Sequence, residues 1–146
     1  MELKITSMTE KHIPALAELE RLCFSTPWTE QGLREELDNR TAHFIVAETG
    51  DQVAGYMGVF VVCESCYVSD IAVYPQFRRQ GVASALIKKA SADAAVLGAQ
   101  SISLEVRPSN EAAVKLYRSL GFEDIGLRKR FYRDPEEDAL IMTKVL

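Results

Sequence analysis

The sequence predicts a mixed α/β fold, with one sheet carrying helices on both faces. Two observations lead there. Short runs rich in Val, Ile, Tyr and Phe are interleaved with stretches whose apolar residues recur at helical spacing. The segments follow the order strand, helix, helix, a run of strands, helix, strand, helix, strand, strand. That order is not a regular βαβ alternation, so a mixed sheet is expected in place of an all-parallel one.

Each element has a local reason. Leu3 to Thr6 is a short first strand. Thr9 to Phe24 is helical, because Ile13, Leu16, Leu19 or Glu20, and Cys23 recur at helix spacing, and Pro14 falls in the first turn, where proline is tolerated. Ser25-Thr26-Pro27-Trp28 breaks that helix, and Thr29 caps a second short one through about Leu37. Ala42 to Glu48 and Val53 to Cys63 are strands joined by a turn at Thr49-Gly50-Asp51-Gln52. Glu64-Ser65 reverses the chain and Tyr67 to Val73 runs back. A polar loop, Tyr74 to Gln80, opens a long helix from Gly81 to about Leu97, with Gly98 as its stop. Ser101 to Val106 is a strand with Ile102, Leu104 and Val106 on one face. A helix from Asn110 to Leu120 ends at Gly121, and Phe122 to Tyr132 with Asp138 to Leu146 form a last hairpin.

The chain of 146 residues shows no internal repeat, low-complexity tract or linker, so residues 1–146 are expected to form one domain. With 47% apolar and 26% charged residues it can bury a core, which excludes disordered, collagen-like and disulfide-stapled classes. No apolar run approaches the roughly 18 residues of a membrane span. Met1-Glu2-Leu3-Lys4 has no leader pattern, and three cysteines without an export signal suggest reduced thiols in the cytoplasm. A net charge of −4 makes a poor general binder of nucleic-acid backbone and weakly suits a basic partner.

The loop Arg78-Arg79-Gln80-Gly81-Val82-Ala83 follows the apolar strand Ile71-Ala72-Val73 and opens the long helix. A helix N-terminus presents unpaired N–H groups and the positive end of a dipole, Gly81 and Ala83 leave the backbone uncovered, and Arg78 and Arg79 add charge. The same hexapeptide also reads as a plain connection with two solvated arginines. Neither G-x-x-x-x-G-K-[ST] nor G-x-G-x-x-G is present, so a diphosphate held without lysine or magnesium, as in coenzyme A, suits it better than a transferable phosphate.

Two motifs together carry a resemblance. The R-x-x-G-x-A loop, and the later N-x-x-A-x-x-L-Y-x-x-x-G-F formed by Asn110, Ala113, Leu116, Tyr117, Gly121 and Phe122, resemble those of the GNAT family of acetyl-CoA-dependent N-acetyltransferases. Within it, Phe24-Ser25-Thr26-Pro27-Trp28, Leu104-Glu105-Val106-Arg107 with Ser109-Asn110, and the tail from Arg128 through Tyr132 to Glu137-Asp138-Ala139 and Met142 resemble the RimI-type ribosomal-protein-alanine N-acetyltransferases. The resemblance implies a mostly antiparallel seven-stranded sheet with about four helices. It implies that Arg78, Arg79, Gln80, Gly81, Val82 and Ala83 hold the coenzyme diphosphate, and that the backbone of Ile71, Ala72 and Val73 pairs with the pantetheine arm like an added strand. It further implies Glu105 as base, Tyr117 as acid at the coenzyme sulfur, and Asn110 as a contact to the arm. Phe24, Pro27, Trp28 and Tyr132 would line the peptide groove. The implied substrate is the N-terminal alanine of small-subunit ribosomal protein eighteen. Separately from the resemblance, a monomer is expected. One departure is Phe131, where the tail pattern usually has tyrosine.

The residues also allow plainer roles. Asn110 can be a helix cap, Tyr117 a core aromatic beside Leu116 and Leu120, and Glu105 an exposed glutamate opposite the apolar face of its strand. Phe24 and Trp28 can be ordinary packing. Arg128-Lys129-Arg130 reads as a solvated strand face. Cys63-Glu64-Ser65-Cys66 lacks the second ligand pair of a structural zinc and sits in a turn, so two ordinary thiols and no metal are expected.

Overall fold

The computed structural model describes residues 2–146; Met1, which opens the N-terminal stretch read above, lies outside the described residues. Seven strands form one sheet: β1 (Lys4–Ser7), β2 (Ala42–Thr49), β3 (Gln52–Val62), β4 (Ser65–Val73), β5 (Ser101–Val106), β6 (Glu123–Tyr132) and β7 (Glu137–Val145). Their spatial order is β1-β2-β3-β4-β5-β7-β6, and only β4 with β5 is parallel. The helices are α1 (Ile13–Cys23), α2 (Glu30–Glu36), α3 (Val82–Val96) and α4 (Glu111–Ser119). The mixed sheet and the four helices agree with expectation.

The boundaries differ in small, explicable ways. The segment begun at Thr9 enters through a short tight turn, Glu10–His12, before α1, because Thr9 and His12 cap each other across that turn and Pro14 sits at the start of the helix proper. The β3–β4 reversal is one residue earlier than expected, at Cys63-Glu64, where Cys63 takes a φ of 55° and Ser65 already pairs with Val62. Thr29 caps α2 as expected, its side chain accepting from the Gly32 N–H at 3.0 Å.

The sheet carries two cores. On one face α3 and α4 cover Ile45, Ala47, Met57, Val59, Cys66, Ile102, Leu104 and Val106. On the other, α1 and α2 cover Phe44, Val46, Tyr56 and Ala72. Burial on both faces, at roughly 25 cal/mol per Å² of apolar surface, is the main force holding the layers together.

The feature that shapes the site is in β4. Cys66 and Val68 face the α3 side, and so do Ile71 and Val73, which breaks the two-residue period. The pairing shifts there: Gly58 stands opposite Asp70 and Val59 opposite Val68, so Ser69 is an extra, bulged residue. A bulge bends its strand and ends regular pairing. Accordingly β4 and β5 pair only at Ser65–Tyr67 with Ser101–Ser103, and beyond that point no ladder joins them. The second half of β4 keeps β3 on one side, Met57 to Ile71 and Gly55 to Val73, and leaves its other edge open.

The close fit of β3 to this half of β4 is testable. A Cβ at Gly55 would lie 2.6 Å from the Ala72 carbonyl oxygen, a backbone atom that cannot rotate away. Gly55→Ala should cost about 1–3 kcal/mol by overpacking, seen as a Tm lowered by several degrees in a thermal melt. An unchanged Tm would mean that β3 and β4 are not held this tightly.

Candidate active site

The β4–β5 gap is bordered from both faces of the sheet. Glu105 lies opposite the Leu104 and Val106 face of β5, hence on the α1 side. The bulge turns Asp70 to that same side, two residues from Ala72 in the α1 core. Beyond the last paired residues, Tyr67 with Ser103, the two carboxyls stand on opposite lips of the gap. Glu105 is partly buried, with 29% of its side chain exposed, and its Oε1 lies 3.2 Å from Nε of Arg128. Arg128 was expected on a solvated face; instead it reaches across β7 to this carboxylate while remaining largely exposed.

Tyr117 comes from α4 and is 7% exposed. Its ring packs on Phe122 with centroids 5.8 Å apart, so it is a core aromatic, as one reading held. Burial, with a smaller effect from the neighbouring Tyr132, pushes its phenol up to about 12, so it keeps its proton throughout the neutral range. Tyr132 is likewise pushed up to about 12, chiefly by burial and then by Glu105. Tyr117, Tyr132 and Glu105 therefore form one electrostatic neighbourhood.

Tyr132 is held firmly. The Arg107 guanidinium sits 4.4 Å from its ring centroid, and Arg107 donates to the carbonyls of Pro135 at 2.8 Å and Arg133 at 3.0 Å. Glu137 accepts from Arg107 and from both the N–H and hydroxyl of Ser109. The Ser25 hydroxyl donates to the Arg133 carbonyl at 3.4 Å, which brings the α1–α2 loop against the β6–β7 hairpin. That hairpin and its flanks, Arg130 to Glu136, line an open cavity of about 430 Å³.

On the α3 side, Val73, Phe77, Arg78, Arg79, Gly81, Val82, Ala83, Ser84 and Leu116 line a cavity of about 210 Å³. Gly81 caps α3 at a φ of 82°, and a Cβ there would meet only open space. Arg79 also has a positive φ, 62°, an uncommon state for a non-glycine residue. This cradle fits a diphosphate: bare N–H groups at the start of a four-turn helix, an open glycine, and nearby guanidinium groups. Arg78 departs from the simple expectation. Its Nε donates to the Val73 carbonyl at 3.1 Å and its Nη2 lies 3.5 Å from the Cys23 sulfur, so it ties the end of β4 to α1. Asn110 caps α4, its side-chain oxygen accepting from the Ala113 N–H at 3.2 Å.

Helix α1 carries a buried polar group, beside the α1–α2 loop, whose role local sequence rules do not reveal. Glu20 is fully buried, although it lies on the apolar stripe of α1. One oxygen accepts from the Trp28 N–H at 2.8 Å and the other from the Tyr56 hydroxyl at 2.5 Å. Asp70 lies near Glu20, and burial, followed by the effect of Glu20, pushes its carboxyl up to about 9. Trp28 also donates from its ring N–H to Ser69, the bulged residue, at 3.3 Å, and packs edge-on to Phe44. Phe24 and Trp28 thus pack on the α1 core, with Pro27 partly buried between them. The available signal was a charge at a stripe position: Glu20 in α1 and Asp70 in an apolar strand.

Cys23, Cys63 and Cys66 are free thiols, and the described residues contain no group of three or more metal-ligating side chains.

The family model described as "Acetyltransferase (GNAT) family" matches residues 13–122. The chain belongs to this family. It is 33% identical to the "[Ribosomal protein bS18]-alanine N-acetyltransferase" of Escherichia coli (strain K12), over 94% of each chain. It is also 33% identical to "N-alpha-acetyltransferase RimI" of Mycobacterium tuberculosis, over 96% of this chain and 90% of that one. The crystal structure of the ribosomal-protein-S18-alanine N-acetyltransferase from Escherichia coli superposes with a TM-score of 0.89 at 29% identity, covering 99% of this chain and 94% of that one. This chain is an N-acetyltransferase of RimI type. The GNAT family uses acetyl-CoA as its acetyl donor.

Proposed function

We propose that this enzyme acetylates the N-terminal α-amine of an alanine-starting protein, in the first place ribosomal protein bS18, in the cytoplasm. The observation that carries the reading is the β4–β5 gap. It leaves a strand edge open and has the partly buried Glu105 carboxylate on one side, and the cavity lined by Val73, Gly81 and Leu116 supports the same reading. The names and coverage of the relatives supply the substrate.

Acetyl-CoA brings an acetyl group activated as a thioester. The N–H groups of Gly81, Val82 and Ala83, with Gln80 and Arg79, receive its diphosphate, and Arg78 secures the end of the strand alongside. The free edge of Ile71, Ala72 and Val73 pairs with the pantetheine arm, and its N–H groups can hold the negative charge that develops on the acetyl oxygen. Asn110 spends its oxygen on the α4 cap and keeps its amide N–H₂ for the arm.

A free α-amine has a pKa near 7.7–8.0, so much of it is charged at neutral pH and must lose a proton before it attacks. Glu105 takes that proton, directly or through one water, once the exposed Arg128 swings aside. Tyr117, protonated at every neutral pH, donates to the departing sulfur. Phe24, Pro27 and Trp28 on one lip, and Tyr132 on the other, form the walls of the peptide groove.

The substrate class is tested by offering acetyl-CoA with an Ala-starting bS18 peptide, with spermidine, and with the same peptide blocked at its α-amine. Acetylation of the free peptide alone is expected. Acetylation of spermidine in its place would point to a small-amine enzyme, and no turnover of any substrate to an acyl-CoA-binding sensor. The roles of the two catalytic residues are tested in the same assay. Tyr117→Phe should lower kcat by about a hundredfold or more while leaving acetyl-CoA affinity near the wild-type value. Glu105→Gln should lose most rate at low pH, where the amine is charged. An unchanged kcat for Tyr117→Phe, or a pH-independent loss for Glu105→Gln, would remove that residue from the chemistry.

A further inference from the structure

Arg107 stands just past the end of β5, two residues after Glu105, and takes no part in the chemistry above. Its side chain reaches the β6–β7 hairpin. Nη1 donates to the Pro135 carbonyl at 2.8 Å and Nη2 to the Arg133 carbonyl at 3.0 Å. Those residues flank Asp134, whose φ is 48°. A left-handed backbone is uncommon for a residue with a side chain and persists where its surroundings over-determine it. The guanidinium fork, bonded on both sides of Asp134, supplies that constraint.

The same group is tied to three further segments. Its Nη1 lies 3.3 Å from Oε1 of Glu137 at the start of β7. Glu137 in turn accepts from the Ser109 N–H and hydroxyl, both at 2.8 Å, one residue before the Asn110 cap of α4. The guanidinium carbon lies 4.4 Å from the centroid of the Tyr132 ring, within cation–π range. The Arg133 carbonyl that Arg107 binds also accepts from the Ser25 hydroxyl at 3.4 Å. One carbonyl therefore joins the hairpin that follows Tyr132 to the loop that carries Pro27 and Trp28. Arg107 and Glu137 are largely shielded, with 24% and 21% of their side chains exposed.

We propose that Arg107 is a positioning residue for the peptide groove. It clamps the turn around Asp134, backs the Tyr132 ring, and so fixes the Tyr132 wall relative to the wall of Phe24, Pro27 and Trp28. That these walls form a peptide groove rests on the function proposed above; the clamp itself is a property of the free enzyme. Charge alone does not make it. A lysine keeps the positive charge, but it has one ammonium where the clamp needs a planar fork that reaches two carbonyls and a carboxylate beside a ring. None of these partners lines the cavity at the start of α3, so the effect falls on the peptide and not on the coenzyme.

The test uses Arg107→Lys, Arg107→Met and Tyr132→Leu in the assay with acetyl-CoA and the Ala-starting peptide. Arg107→Lys should raise the peptide KM several-fold, and Arg107→Met further, while kcat and the KM for acetyl-CoA stay close to wild type. In the Tyr132→Leu background the same substitutions should raise it less, because the ring that Arg107 positions is already gone. A residue needed only for folding would lower the Tm and the yield of active enzyme and leave the peptide KM as it was. Amide hydrogen exchange of the free enzyme reads the clamp without substrate: Tyr132–Glu137 should exchange faster in Arg107→Met, with β1 and β2 unchanged. An unchanged peptide KM, effects fully additive with Tyr132→Leu, or exchange in Tyr132–Glu137 equal to wild type would overturn the proposal. Failure of the wild type to acetylate the peptide would instead overturn the function proposed above, and the exchange comparison would still decide the clamp.

Discussion

One extra residue in one strand organises this molecule. The bulge at Ser69 reverses which residues of β4 face which core, turns Asp70 toward α1, and ends the ladder with β5 after three residue pairs. A sheet that continued straight would close β4 on β5 and bury the edge of Ile71 to Val73. Here that edge stays free with only β3 beside it, in the middle of a sheet and not at its rim. Unpaired backbone groups inside a protein are costly unless a partner arrives, which is why the proposal puts an extended ligand there. Everything else in the site is placed relative to that opening.

The two sides of the sheet divide the work. On the α3 side the chain offers dipoles and guanidinium groups to an anion, with Gly81 leaving the approach clear. Near the opening it also carries acids and phenols. Tyr117 and Tyr132 are held protonated by burial, the Asp70 carboxyl is raised by burial, and Glu105 sits against an exposed arginine. Trp28 is tied to α1 by the buried Glu20, and Tyr132 at the end of β6 is held by the partly buried Arg107.

Much of this was legible beforehand. The element order, the Gly81 opening of α3, the Asn110 cap and the strand position of Glu105 follow from local rules, and the motif resemblance led to the family that the relatives share. What local rules missed depends on contacts distant in sequence. Arg128 looked solvated because its partner Glu105 lies beyond the intervening β7. Arg78 looked free because nothing nearby in the chain announces the Val73 carbonyl or Cys23 as its partners. Glu20 and Asp70 looked like isolated polar residues in apolar segments, and only the fold brings them together. The bulge itself has no strong local signature, since Ser69 is an ordinary strand residue.

The central claim is that the free edge of β4 is where the coenzyme arm docks. Amide hydrogen exchange of the enzyme with and without acetyl-CoA tests it at the residues concerned. The account predicts slower exchange in Asp70–Val73 and at the start of α3, with β1 and β2 unchanged. Equal exchange in Asp70–Val73 in both states, under conditions where calorimetry shows the coenzyme bound, would contradict it.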